Sequence, residues 1–202
     1  MRILLTAFEP FGGDSENASL ATLQLLEDQW SGDDELICAQ LSVTFDQSGF
    51  LALVEEHMPD VIVALGEAGG REAITVERWG VNEQRARIPD NSGAQPDEEP
   101  IIPGMPERRE ATLDPQMIVD AIRDDGWAAE VSDDAGRFVC NTVAFLAYGL
   151  EVPAIFIHVP ALRSTGVATV GAETGGTTSA AGHVAESVED LAEAVASALA
   201  CI

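Results

Sequence analysis

Short apolar runs alternate with amphipathic stretches along the chain. Ile3–Phe8, Leu36–Val43, Val61–Leu65, Ala128–Ser132 and Ala154–Val159 have the length and aliphatic content of buried strands. Between them, Ala18–Gln29, Ser48–His57 and Gln116–Asp124 space their apolar residues as one face of a helix requires. Asp114 followed by Pro115 supplies an N-cap and a first-turn residue for the third of these. A last helix, about Val184 to Ala200, carries a Leu/Val/Ala stripe opposite Glu and Asp. Strands alternating with helices predict an α/β layered fold with a largely parallel sheet. With no internal repeat and no linker, residues 1–202 read as a single domain.

Two segments break this rhythm. Val81 to Thr112 holds half of the ten prolines and many charges, and Arg163 to Gly182 is rich in Gly, Thr, Ser and Ala. Long irregular segments in a compact domain are either active-site covers or surface excursions, and the sequence leaves both open.

Charge narrows the range of partners. The chain has 35 acidic and 10 basic residues, a formal net charge of −25, and every basic residue is Arg. That balance excludes nucleic acid, whose binding depends on neutralising phosphates, and anionic lipid, which needs polybasic segments. With 46% hydrophobic residues the chain is not of the disordered class. No apolar run approaches the ~20 residues needed to span a bilayer. The apolar start, Met1 to Phe8, is stopped by Glu9-Pro10 before it reaches the length of a signal-peptide core, so a cytoplasmic location is expected. Cys38, Cys140 and Cys201 are too dispersed for a disulfide framework, and the three His form no cluster at ligand spacing, so neither a metal nor a cofactor is expected. An acidic surface without Lys is what a salt-rich cytoplasm would favour.

The informative chemistry lies between Ser132 and Pro160. Ser132–Arg137 reads as a turn, the chain becomes helical near Cys140, and Gly149 marks its end. A cysteine at a helix N-terminus feels the positive end of the dipole, which stabilises a thiolate, and the same amides can hold an oxyanion. A helix from Cys140 to Leu150 runs ~16 Å out, and the strand ending near His158 returns a similar ~16 Å. That brings His158 back to the edge where Cys140 sits, the edge where open α/β sheets bind ligands. Glu77, in the alternating run Ile74–Asn82, is placed to orient the imidazole. Each residue also has a plainer reading: Cys140 as a small buried hydrophobe, His158 as a structural histidine, and Glu77 as the partner of a nearby Arg. Cys38, Cys201, His57 and His183 have no comparable setting and read as structural. The chain lacks a G-x-S-x-G elbow, a phosphate-binding loop and a dinucleotide fingerprint, and Gly66–Arg71 reads as a tight turn.

At these residues the chain resembles the pyroglutamyl peptidase I (pyrrolidone-carboxylate peptidase) family of cysteine peptidases. The likeness is carried by Phe8–Gly13 with Asn17, Gly66–Arg71 leading into Thr75–Arg78, Arg85–Asn91, Ser132–Asn141 and Phe156–Pro160. It implies an α/β/α sandwich assembling as a homo-oligomer, a dimer or tetramer, that acts on peptides with an N-terminal pyroglutamyl residue. By the same likeness Glu77, Cys140 and His158 are catalytic and Arg87 stabilises the oxyanion. Phe8, Phe11, Asn17, Glu67, Ile88 and Phe138 would then line the pyroglutamyl pocket. These residue types suit a flat, neutral lactam, which needs apolar ring contacts and a few amide hydrogen bonds.

The chain departs from the family at Glu67, where Gln is usual, at Trp79-Gly80, in a shorter Cys140–His158 interval, and at Ala161. Two other readings therefore stand beside the peptidase: a related thiol amidohydrolase with shifted N-terminal specificity, and a non-catalytic pyroglutamyl-binding protein.

Overall fold

The computed structural model describes residues 1–162 and 181–202. The segment predicted as irregular at 163–182 therefore lies almost wholly outside the described residues. Eight strands and five helices are present among the described ones: β1 (Arg2–Phe8), α1 (Ala18–Gln29), β2 (Glu35–Leu41), α2 (Ser48–His57), β3 (Val61–Ala68), β4 (Ile74–Glu77), β5 (Trp79–Val81), β6 (Arg108–Glu110), α3 (Pro115–Asp124), β7 (Ala129–Ser132), α4 (Val139–Ala147), β8 (Ala154–Pro160) and α5 (Val188–Ala200). Six strands form one sheet in the order β2-β1-β3-β8-β4-β7. Its pairs are parallel except β4–β8, which is antiparallel.

Side-chain alternation divides the strands between two cores. Ile3, Leu5, Val63, Leu65, Ile74, Val76, Ile155 and Ile157 pack with α1, α3 and α5. Leu4, Phe8, Ile62, Ala64, Ala154 and Phe156 pack with α2 and α4 on the opposite face. The result is the expected α/β/α sandwich.

Local differences from the sequence reading have identifiable causes. The run Ile74–Asn82 is not one strand: β4 ends at Glu77, and β5 leaves the sheet to pair antiparallel with β6. Gly80 is what lets β5 lie on α4, because a Cβ there would stand 2.4 Å from the backbone nitrogen of Phe145. β6, inside the segment read as irregular, is held by arginines over rings: Arg108 lies 4.0 Å from the Trp79 ring centre and Arg109 4.2 Å from that of Phe145. α5 starts at Val188 rather than near 184, since Ser187 and Asp190 form a capping box.

Candidate active site

Register brings the candidate residues onto one face. Gly66 of β3 pairs with His158 of β8, and across the antiparallel ladder Thr75 pairs with His158 and Glu77 with Phe156. Paired residues point the same way, as do residues two apart, so Gly66, Thr75, Glu77, Phe156 and His158 all face α4. The diagonal closes as a bond: His158 Nδ1 lies 2.8 Å from Glu77 Oε1.

Cys140 arrives from the helix layer as the second residue of α4. A Cβ on Gly66 would stand 2.9 Å from its Sγ. The sulfur therefore rests directly on the residue beside His158, one strand spacing of ~4.8 Å away. Gly66 is the residue type that allows this approach.

Glu77 is fully buried and accepts a second donor, the charged Arg71, on the oxygen that meets His158. Arg71 also contacts Thr75 Oγ1 and donates to the Asp134 carbonyl at 2.7 Å. Burial alone would raise the Glu77 pKa, but hydrogen bonding to His158 and the charges of His158 and Arg71 hold the carboxyl below its ordinary value. Burial drives His158 below its ordinary value, and Arg71 adds to this against the pull of Glu77. An ionised Glu77 beside a neutral imidazole assigns the ring proton to Nδ1, leaving Nε2 as an acceptor.

Cys140, partly exposed, meets surroundings that oppose the helix dipole. Its thiol is pushed up to about 12, first by burial and then by the charges of Glu77 and Glu67. Arg71 and the helix amide act in the opposite direction and do not prevail. The surroundings of the pair therefore oppose the thiolate that the helix position favours.

These groups open into a cleft of about 870 Å³ lined by every residue predicted for the site except Glu77, which lies behind His158. Phe138 packs against Phe11 and Phe45, with ring centres 5.1 Å apart in each case. Phe8 borders the cleft but is 2% exposed, so it is more a floor beneath Phe156 than an open ring face. Asn17 is committed largely to structure: its Oδ1 accepts from Ser19 N at 3.0 Å and its Nδ2 donates to the Glu9 carbonyl at 3.1 Å. Glu67 Oε2 accepts from Ala18 N at 2.6 Å, so the helix that walls the cleft accommodates this carboxylate. Arg85, Arg87 and Ile88 reach the cleft from the 81–112 segment.

That segment is pinned in place. Asp90 accepts from the backbone of Phe45, Ser92 and Ala94, each at 2.8 Å. Asn141 exchanges hydrogen bonds of 2.8 Å with the backbone of Val81 and donates to Glu83 O at 2.9 Å. The sequence reading assigns no role to Asn141, Asp90 or Phe45, and the nearby Arg that it offers as a partner for Glu77 is Arg71. Asn141, adjacent to Cys140, carried no periodicity signal, since its partners are backbone groups about 60 residues away in sequence.

The chain is similar to known proteins along nearly its whole length. A sequence profile described as pyroglutamyl peptidase matches residues 1–199. Pyrrolidone-carboxylate peptidase from Thermococcus onnurineus is 43% identical over 168 residues, 79% of this chain and 84% of its own. The protein of that name from Enterobacter is 41% identical over 180 residues, 84% of this chain and 83% of its own. The crystal structure of pyroglutamyl peptidase I from Bacillus amyloliquefaciens superimposes with a TM-score of 0.85 at 31% identity, covering 99% of this chain and 93% of that one. A mutant pyrrolidone carboxyl peptidase from Pyrococcus furiosus gives 0.84 at 32% identity, covering 100% and 97%.

Proposed function

Given that the chain belongs to the pyroglutamyl peptidase family and is a cysteine peptidase that removes N-terminal pyroglutamate from peptides, we propose that Cys140, His158 and Glu77 carry the reaction. The observation that supports this most directly is the 2.8 Å Glu77–His158 bond placed one strand from the Cys140 sulfur at the end of the cleft.

With the thiol pushed up and the imidazole pushed down, proton transfer accompanies the attack. His158 Nε2 takes the Cys140 proton as Sγ attacks the carbonyl carbon of the pyroglutamyl bond. Charge separates only then, and Glu77 stabilises the imidazolium through Nδ1. The carbonyl oxygen, now an oxyanion, meets the N-terminal amides of α4 and Arg87. Collapse breaks the C–N bond, His158 protonates the departing amine, and a thioester remains on Cys140. Water, deprotonated by the same nitrogen, attacks the thioester and releases pyroglutamate with the thiol restored.

The lactam is neutral, so its grip is apolar contact with Phe11, Phe138 and Ile88, with Asn17 and Glu67 bordering its polar edge. The family likeness also supports assembly as a homo-oligomer, dimer or tetramer, which sedimentation analysis would contradict by returning a monomer. Among the described residues no helix is long and apolar enough to cross a membrane, and the three free thiols favour a reducing, cytoplasmic setting.

A chromogenic pyroglutamyl amide tests the assignment. Cys140→Ser is expected to lower kcat by at least ~10³-fold. A serine variant as active as the parent would show that the nucleophile lies elsewhere.

A further inference from the structure

The two ends of α4 serve the same pair of strands. Its N-terminal turn delivers Cys140 to His158, and its C-cap, Tyr148, reaches the backbone behind Glu77. Tyr148 is 5% exposed. Its hydroxyl donates to the Glu77 carbonyl at 2.7 Å and accepts from the Phe156 amide at 3.1 Å.

Those two groups belong to the last register pair of the β4–β8 ladder, whose preceding pairs are Val76–Ile157 and Thr75–His158. One phenol oxygen thus closes the end of the ladder and sets how far β4 stands from β8 at Glu77. Beyond this point β4 has no further partner on β8, because the chain departs into β5. The ring of Phe156, held by the same hydroxyl through its amide, lies 4.9 Å from the His158 ring. A rigid phenol ring anchored at the C-cap of α4 therefore grips both strands beside the carboxylate–imidazole bond. Burial raises the Tyr148 pKa, so the hydroxyl remains a donor throughout the working range.

We propose that Tyr148 is a positioning residue of the peptidase reaction, fixing the β4–β8 spacing at which Glu77 orients His158. The proposal rests on the assignment of Cys140, His158 and Glu77 made above. A hydroxyl that served stability alone would be equivalent to Thr112, whose Oγ1 accepts from Ala154 N at 2.7 Å, at the first residue of β8 and two residues before Phe156. Thr112→Val is therefore the matched control.

The test compares the parent, Tyr148→Phe, Thr112→Val and Cys140→Ser as full-length proteins well below their melting temperatures. It measures kcat and KM for a pyroglutamyl amide across pH. Tyr148→Phe is expected to lower kcat about tenfold with KM within about twofold. Its acid limb should move to lower pH, because a loosened Glu77 supports the imidazolium less well. Thr112→Val should lose thermal stability while keeping the parental kcat and acid limb. Parental kcat and acid limb in Tyr148→Phe would overturn the proposal, as would equal losses of kcat in both variants without a limb shift. An active Cys140→Ser would overturn the site assignment itself. An inactive Cys140→Ser beside a parental Tyr148→Phe would overturn only the role of Tyr148.

Discussion

Two helix N-termini border the same cleft, and they are finished in opposite ways. At α1, Asn17 Oδ1 accepts from Ser19 N at 3.0 Å and Glu67 Oε2 accepts from Ala18 N at 2.6 Å. At α4 the N-cap is Phe138, and no side chain caps the helix. A phenylalanine in place of Asn, Asp or Ser there forgoes about 1 kcal/mol of capping. The satisfied terminus is a wall, while the uncapped one carries the proposed nucleophile and, on that proposal, keeps donors for the charge that develops on the substrate. Stability has been retained where nothing reacts and given up where an anion must form.

Capping α4 would break this contrast and should have the largest effect. Phe138→Ser supplies an acceptor for the amides reserved for the oxyanion, so kcat should fall about 10²-fold. Phe138→Leu removes the ring but adds no cap, so it should raise KM and largely spare kcat. Similar kcat values for the two would mean that the α4 amides do not hold the oxyanion.

Removing the charge that balances the acids at this end is a milder perturbation. Arg71 adds to the burial that lowers the His158 pKa and to the His158 contact that lowers that of Glu77. Arg71→Met should therefore raise the His158 pKa, move the acid limb of kcat/KM to higher pH, and lower kcat about tenfold. A limb that stays in place would contradict this account. The parent's stability has a matching sign. Glu77, depressed in the folded state, and His158, buried neutral, both lose stability as pH falls below the ordinary His value of 6.5 and then through the folded Glu77 value.

The smallest effect belongs to the capped end. Asn17→Ala should cost about 1 kcal/mol in denaturant unfolding and raise KM with kcat nearly unchanged. A drop in kcat like that of Phe138→Ser would erase the distinction between the two termini.

Much of this was legible along the chain. Alternating apolar runs separate Ile3, Leu5 and Val63 from Leu4, Ile62 and Ala64, which is the division between the two faces of the sheet. The lengths of α4 and β8 return His158 to the level of Cys140, because helix rise and strand rise are constants of the backbone. Local signals are read locally, and they pointed to Cys140, His158 and Glu77, whereas Phe8, Phe11, Asn17, Glu67, Arg87, Ile88 and Phe138 came from the family likeness.

Contacts across the fold were not legible. Asn141 and Tyr148 bind backbone carbonyls about 60 and 71 residues away, and a carbonyl has no letter in the sequence. The break of the Ile74–Asn82 run depends on how closely α4 approaches Gly80.

The sequence by itself determined the order of elements, the face each side chain takes, and the chemical types available at the sheet edge, since these follow from backbone periodicity and composition. Only the tertiary structure decided the surroundings that shift their protonation. The dipole of α4 favours a Cys140 thiolate, but burial and the nearby charges of Glu77 and Glu67 outweigh it. Solvation is a property of everything packed around a group, not of its neighbours along the chain.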